Sequence, residues 1–321
     1  MNSLGQIQQI GHPVPYRLAS LNTRELYPRV SQLLSHGDFP NKKGSDRITS
    51  GVKLMTWNVL AQGLTHGFPF APEGSLSWDH RGPKILEEIR RMSPDILLFQ
   101  EMNRFDYLME SLGDEYNGSF IAKPDSPSAR FGEKADGCAI FTRKSTIEVL
   151  NTYSQSFQYM NQVYLAQQLF LKEENRQILA VTTHLKAFNN AKCQLIRQNE
   201  TMQLLKVLHR FSAQEKIPIV IGADMNETPD KFCYQMLKQS NFKSAYDLFE
   251  NRDLPEFDYY TTWKIRKRPT KKIIDYIFFS QDDFVVKDLV LPPKNLGAIK
   301  IPNWRYPSDH VALCATLQFK N

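Results

Sequence analysis

Apolar residues recur along the chain in short runs that end in polar residues. Val52–Asn58 (VKLMTWN) alternates well enough to predict a strand. The Gly- and Pro-rich stretch Gly63–Gly74 predicts a loop. Ile85, Leu86, Ile89 and Met92 fall on one helical face, and Pro94 ends that helix. Asp95–Phe99 (DILLF) is the continuous run of a strand covered on both faces, and it ends in Gln100-Glu101. Further strands are predicted at Gly137–Thr142, Gln162–Leu171, Gln177–Thr183, Ile217–Ala223, Tyr259–Ile265, Ile273–Ser280 and Val311–Phe319, with Lys172–Arg176 as a turn. A helix is expected over residues 192–211, with Leu195, Met202, Leu205 and Leu208 near one face. Thr228-Pro229-Asp230 reads as an N-cap, a proline at N1 and an acid in the first turn of another helix. Strands alternate with helices, yet several strands come in neighbouring pairs. The class is therefore α/β, with a mixed sheet or two packed sheets flanked by helices rather than a purely parallel sheet.

Composition adds limits. The chain has 321 residues, 41% of them hydrophobic and 23% charged, which is globular arithmetic. Length alone leans towards two domains. The pattern instead places one boundary near residue 50: residues 1–50 read as a mostly irregular leader with a short helix near Thr23–Leu34, and 51–321 as one domain without a linker. No stretch approaches the ~18 apolar residues of a membrane span. Met1–Val14 lacks the layout of a secretory signal. A cytoplasmic protein is expected, with an organellar (mitochondrial) or nuclear pool as the alternative. Cys138, Cys193, Cys233 and Cys314 show no metal or redox spacing and read as buried thiols of a reducing compartment. The net charge of +6 permits a phosphorylated or polyanionic partner. Lys264, Arg266, Lys267, Arg268, Lys271 and Lys272 cluster in one segment. That segment reads as a solvated hairpin tip, as a nuclear-import signal, or as a basic loop in which Lys264 or Arg266 meets a substrate phosphate.

Polar residues able to do chemistry recur at the strand ends. They are Asn58, Glu101, His184, Asp224 with Asn226, Asp275, and Asp309-His310. Strand ends on one sheet edge are where α/β folds build sites. Asp224 and Asn226 are two apart and would share a side of an extended chain. Asp, Glu and Asn oxygens with His suit Mg²⁺, whereas zinc would want more His or Cys. Neither a P-loop nor a Gly-x-Ser-x-Gly elbow is present.

Thr56-Trp57-Asn58, Leu98–Glu101, Thr183-His184-Leu185, Asp224-Met225-Asn226, Ile274-Asp275-Tyr276 and Ser308-Asp309-His310 resemble, in order, the motifs of the endonuclease/exonuclease/phosphatase superfamily. The resemblance implies a four-layer α/β sandwich of two packed mixed β-sheets flanked by helices, with residues 51–321 as the catalytic domain. Trp57–Gln62, Asp136–Ala139, Thr183–Ala187, Thr261–Arg266 and Tyr306–His310 are similar to a deadenylase-like branch of it. That branch removes the 2′-phosphate of NADP⁺ and NADPH and has circadian and metabolic roles. The resemblance thus implies a Mg²⁺-dependent NADP(H) phosphatase with one or two ions. Carried over by position, Glu101 would hold the metal and face the substrate, and Asn58 would help place the attacking water or the phosphate. His184 and Asn226 would contact the phosphate, and Asp224 would position or deprotonate the water. Asp275 would orient His310, His310 would stabilise phosphoryl charge, and Asp309 would act at the metal. Substrate contacts are implied at Lys123, Pro124, Asn161, Lys186 and Ala187, and Arg266 is a further candidate. The chain departs from the branch at Phe188, where it has Arg, at Asp125, where it has Trp, and at Ala223, where Gly is usual. Losing a guanidinium removes a bidentate phosphate clamp. RNA is the alternative partner, through a 3′-to-5′ poly(A) exonuclease built on the same core. A catalytically silent RNA- or protein-binding scaffold is the third reading, opposed by the intact Glu101, Asp224, Asn226, Asp309 and His310.

Overall fold

Val52–Asn58 forms β1 over its whole predicted range, and only Lys53 escapes full burial. The computed structural model describes residues 51–158, 161–250, 259–266, 268–293, 296 and 300–321. The expected leader, its helix near Thr23–Leu34 and Lys267 lie outside the described residues. Gln62–Gly67, which overlaps the start of the loop expected over Gly63–Gly74, is a short 3₁₀ turn. In α1 (Trp78–Met92) Ile85, Leu86, Ile89 and Met92 enter the core as their spacing predicts. The helix ends where Ser93 turns left-handed and its N–H donates to Ile89 O at 2.7 Å. β2 (Ile96–Met102) runs on past Phe99, so Gln100 and Glu101 lie inside the strand rather than after it. Then come α2 (Phe105–Leu112), β3 (Tyr116–Ala122), β4 (Gly137–Arg143), β5 (Ile147–Ser156), β6 (Val163–Leu171) and β7 (Arg176–His184). α3 (Ala191–His209), β8 (Ile219–Asp224), α4 (Phe232–Gln239), β9 (Phe242–Ser244) and α5 (Asp247–Glu250) follow. The chain closes with β10 (Thr262–Ile265), β11 (Pro269–Lys272), β12 (Asp275–Ser280), β13 (Phe284–Val290) and β14 (Leu313–Phe319).

Two mixed six-stranded sheets result, in the orders β13-β14-β1-β2-β4-β3 and β5-β6-β7-β8-β12-β9. Alternation along β7 and β8 shows why their sequences are apolar throughout. Ile178, Ala180 and Val220 fill the layer between the sheets, while Leu179, Val181, Ile219 and Ile221 meet Leu204 and Leu208 of α3 and Tyr234 of α4. Each strand has two buried faces, which a two-residue period converts into a continuous run. α1 and α2 bury Ile89 and Leu108 against the first sheet, completing the four layers. Gly222 lets the sheets approach, because a Cβ there would lie 2.7 Å from both Leu98 Cβ and Thr56 Oγ1. Gln100 joins them: its Nε2 lies 3.1 Å from Thr56 Oγ1, 3.0 Å from Thr182 Oγ1 and 3.2 Å from Gly222 O.

Each sheet contains one parallel pair, β1 with β2 and β7 with β8. Their registers set Asn58 beside Gln100 and His184 beside Asp224, and β12 begins with Asp275 opposite Asp224. β1, β7 and β8 thus deliver their terminal side chains, and β2 its penultimate residue Glu101, to one edge.

Two expectations need correction. α3 does not bury Leu195 and Met202, which are 66% and 50% exposed. Its inner face carries Arg197, Glu200, Thr201, Leu204 and Leu208 instead, because Arg197 and Glu200 hold polar partners inside the fold. Thr228-Pro229-Asp230 forms a turn closed by Lys231 N to Thr228 O (3.0 Å), and α4 starts later, at Phe232. The basic segment follows the hairpin reading: β10 and β11 pair antiparallel, and Arg266 and Arg268 lie in the turn between them.

Candidate active site

Asn58, at the end of β1, is the hub of the edge. Its Nδ2 donates to Glu101 Oε1 (3.1 Å) and to Asp224 Oδ2 (2.9 Å), linking three strands across both sheets. The other Glu101 oxygen accepts from Ala61 N at 3.2 Å. Glu101 has φ 54°, and the β2–β4 register shifts between Phe99 and Met102. A left-handed glutamate inside a bulge is held there by its surroundings, and such bulges re-aim side chains at sites.

Asn226 converges on Asp224 by a different route from the one its spacing suggests. The chain turns left-handed there (φ 50°) rather than staying extended, and Asn226 N donates to Asp224 Oδ1 at 2.9 Å. Asn226 Nδ2 lies 3.0 Å from Leu185 O and 2.9 Å from His184 Nε2. With the amide nitrogen donating to both, the His184 proton belongs on Nδ1. That Nδ1 is buried without a hydrogen-bond partner among the described residues, 4.0 Å from Glu101 Oε1. Burial, then the charges of Lys123, His310 and Lys264, drive the His184 pKa well below its ordinary value, so the ring is neutral.

His310 behaves oppositely. Its Nδ1 donates to Asp275, whose oxygens lie 3.0 and 2.9 Å away. Thr261 Oγ1 donates to Asp275 Oδ2 (2.6 Å), and Trp57 Nε1 donates to the His310 carbonyl (2.7 Å). Burial disfavours charge on the ring, but Asp275, helped by Asp309 and Asp224, outweighs burial and Lys264 and raises His310 to about 9. The surrounding carboxylates therefore favour the protonated form of His310, and the Lys264 ammonium opposes it. Asp224 is pushed upward, by burial and then by Asp275, so it accepts a proton more readily than an exposed aspartate. Burial also works to raise Asp309, yet Lys264, His310 and Arg266 together hold its carboxylate below the usual range. Lys264 Nζ lies 2.6 Å from Asp309 Oδ2 and 3.2 Å from His310 Nε2, and Arg266 Nη2 is 3.8 Å from Asp309 Oδ2.

Carboxylates of Glu101, Asp224, Asp275 and Asp309 thus gather in one buried cluster. Such crowding suits a hard divalent cation. Ligand atoms of Asp224, Asp275 and His310 lie within 4.8 Å of one another. The His310 nitrogen in that trio is engaged with Asp275, so the oxygens of Glu101, with Asp224 joined to it through Asn58, are the better-fitting donors.

The substrate-side residues divide into two groups. Lys186 and Ala187 follow His184 directly, on a segment anchored to α3: Lys186 N donates to Glu200 Oε2 (2.8 Å), and Arg197 Nη1 donates to Lys186 O and Phe188 O (both 2.8 Å). Among the described residues the Lys186 ammonium makes no hydrogen bond or ion pair, its charge acting on buried Glu200 only at a distance, and Phe188 is 72% exposed at φ 76°. The second group surrounds Lys123. Lys123 is buried with its ammonium 2.6 Å from Asp136 Oδ2, so it acts on Glu101 and His184 through its field rather than as a free hand. Pro124 is exposed, and Asn161 Nδ2 donates to Asp125 O. Asp125 itself pairs with Arg130.

Sequence reasoning did not single out several supporting residues. Arg81 is fully buried and donates to Val59 O, Leu60 O and Pro307 O, which binds the turns after β1 and before β14. Arg197 and Glu200 were equally silent, and Thr261 stood in a family-like segment without a role. The only signal was a charged residue at a core-facing helical position, as with Arg197 beside Leu204 and Leu208.

The Endonuclease/Exonuclease/phosphatase family matches residues 55–310. Nocturnin of Rattus norvegicus is 34% identical over 286 residues, covering 84% of this chain. The chain spans 66% of that relative's length. Among solved structures, the human nocturnin catalytic domain with bound sulfate anion superposes with a TM-score of 0.70 at 31% identity, covering 84% of this chain and 95% of that one. ANGEL2, a 2′,3′-cyclic phosphatase, in complex with adenosine-2′,3′-vanadate, gives 0.72 at 21% identity, covering 88% of this chain and 100% of that one, and supports the fold.

Proposed function

Because the chain belongs to the endonuclease/exonuclease/phosphatase family and is nocturnin-like within it, we propose that it is a Mg²⁺-dependent phosphoric monoester hydrolase that removes the 2′-phosphate of NADP⁺ and NADPH. One observation carries the reading. A neutral histidine, a histidine favoured in its protonated form and an aspartate of raised pKa converge at one strand edge around the Asn58–Glu101–Asp224 linkage. The identity of the 2′-phosphate substrate rests on the likeness to nocturnin and on Lys186, whose ammonium is uncommitted on the segment after His184.

Glu101 would hold the cation, with Asp224 and Asn58 beside it, and Asp309 near it. When bound, the ion neutralises phosphoryl oxygens, the main demand of phosphate-ester hydrolysis. The chain's own residues supply the rest. Asp224, fixed by Asn58 and by the Asn226 N–H, receives the proton of the attacking water. His184 Nδ1–H, otherwise without an acceptor, donates to a phosphoryl oxygen. His310, held by Asp275, in its favoured protonated form presents an Nε2–H where negative charge builds, and it needs no reorientation to do so.

The test offers NADPH and a 3′-oligoadenylated RNA, each with Mg²⁺ or chelator. Chelator-sensitive phosphate release from NADPH alone is expected. Shortened RNA with NADPH untouched replaces this reading with the poly(A) exonuclease, and inactivity on both leaves the silent scaffold.

A further inference from the structure

We propose that Lys264 is a catalytic residue of this centre, whose ammonium contacts the transferring phosphoryl group together with His310 Nε2. The inference rests on the reading of the site as a phosphoester hydrolase and assigns it a cation from outside the two sheets.

His310 Nδ1 is spent on Asp275, so only Nε2 can face a substrate. Lys264 Nζ is 3.2 Å from that nitrogen. An ammonium has no acceptor, so a neutral His310 ring accepts from Lys264 through Nε2, whereas a protonated ring meets it as a second donor, and one oxygen lodged between the two then takes a hydrogen bond of ~2.8 Å from each. A phosphoryl oxygen that reaches His310 therefore also lies within reach of Lys264. An ammonium has three donor hydrogens. Asp309 Oδ2, at 2.6 Å, takes one and fixes the group without exhausting it. The Lys264 side chain is 17% exposed against 2% for Asp309, so it is the more accessible member of the pair.

The hairpin is also tied to the catalytic turn. Thr262 forms a β-bridge with His310 and its Oγ1 donates to Asp309 O at 2.7 Å, while Val311 N donates to Thr261 O at 2.7 Å. β10 is thereby registered against Asp309-His310, and the ammonium is placed before substrate arrives. Prior placement is what gives an electrostatic group its effect on a transition state. Neighbouring cations are less well placed. Lys123 is paired with buried Asp136, and Arg266 is 3.8 Å from Asp309 and lies over the Phe68 ring. With Phe188 in place of an arginine, Lys264 supplies positive charge at the phosphate from β10.

The competing role is neutralisation of Asp309 alone. Lys264→Gln removes the charge under either role, so Asp309→Asn is added to it: neutralisation of Asp309 alone requires the double variant to recover vanadate affinity, which would overturn the proposal, and contact with the phosphoryl group requires that it does not. Lys264→Arg restores charge, and Arg268→Ala, farther along the exposed hairpin, is the control. Orthovanadate affinity is measured by calorimetry with Mg²⁺ present, and folding by thermal melts. We expect Lys264→Gln to weaken vanadate binding at least ~10-fold and to lower kcat about 100-fold with little change in KM, on the scale of a lost charge-stabilising donor. Lys264→Arg should recover most of both, and Arg268→Ala should match the wild type. Equal vanadate affinity in wild type and folded Lys264→Gln overturns the proposal, as does a wild type that does not bind vanadate. If Lys264→Gln fails to fold, Lys264→Arg decides: retained vanadate affinity supports the proposal and its loss overturns it. NADPH hydrolysis is read separately, so vanadate binding that depends on Lys264 in a protein inert towards NADPH refutes only the substrate.

Discussion

Arg197 joins the helical layer to the substrate side of the site, and its removal has a calculable consequence. The residue is 1% exposed. Nε donates to Glu227 Oε1 at 2.9 Å, and Nη1 reaches the carbonyls of Lys186 and Phe188. In Arg197→Met, Glu227 keeps only the Cys233 N–H on its other oxygen (3.1 Å) as a compensating donor. A buried carboxylate stripped of its partner costs about 3–5 kcal/mol. The two freed carbonyls lie near the surface and recover part of their loss through water. Against a typical domain stability of 5–15 kcal/mol, the single variant should remain folded at 25 °C but with its Tm lowered on the order of 10 °C. Arg197→Met/Glu227→Leu removes both charges and should regain much of the loss, because an apolar pair of similar volume often matches a buried ion pair. Neither variant restores the carbonyl anchors, so both should raise KM for NADPH while the kcat of the phosphate core changes little. Urea denaturation gives the stabilities and initial rates give KM. A single-variant loss below ~1 kcal/mol, or a double variant no more stable than the single, would refute this account of Arg197.

Glu101→Gln should lower turnover by at least ~100-fold while the melting temperature stays close to that of the wild type, as steady-state rates and thermal melts will show. Gly222→Ala should destabilise the fold by roughly 1–3 kcal/mol in urea, because its Cβ would press on Leu98 and Thr56 where the sheets meet. Glu250, buried and raised to about 8 chiefly by burial, binds a proton in the folded state that it loses when unfolded above its ordinary value of 4.5. Its contribution to stability is therefore full below pH 4.5 and is lost as pH rises towards 8, by a few kcal/mol at most. Glu250→Gln should flatten that slope in urea titrations at pH 5 and pH 8, and an unchanged slope would count against the shift.

What the sequence made legible follows from where each structural signal is local. The parallel strands are buried on both faces, so their apolar runs stand out, and Asn58, His184 and Asp224 are visible as the polar residues that end them. β5 escaped because it is an edge strand with one face in solvent, and Ile147–Ser156 reads as polar. β3 hides behind Asn117 and Gly118, and β13 is broken by a register shift between Val286 and Asp288. α3 was found but turned to the wrong face, since a hydrophobic pattern cannot show that Arg197 and Glu200 go inside with polar partners.

Lys264 marks the boundary between the two kinds of signal. Its charge was visible within a cluster of six basic residues, from which the sequence could narrow the choice only to Lys264 or Arg266. What distinguishes it is the bridge from Thr262 to His310, a pairing across many intervening residues that no local period encodes. Alternation along β10 then decides which side chain shares the Thr262 face. Lys264 is two residues on and lies over Asp309 and His310, whereas Trp263 points away, towards Tyr260. A one-residue slip of β10 would exchange lysine for tryptophan at the phosphate. The hairpin's register, rather than its net charge, therefore determines whether this basic segment belongs to the active centre.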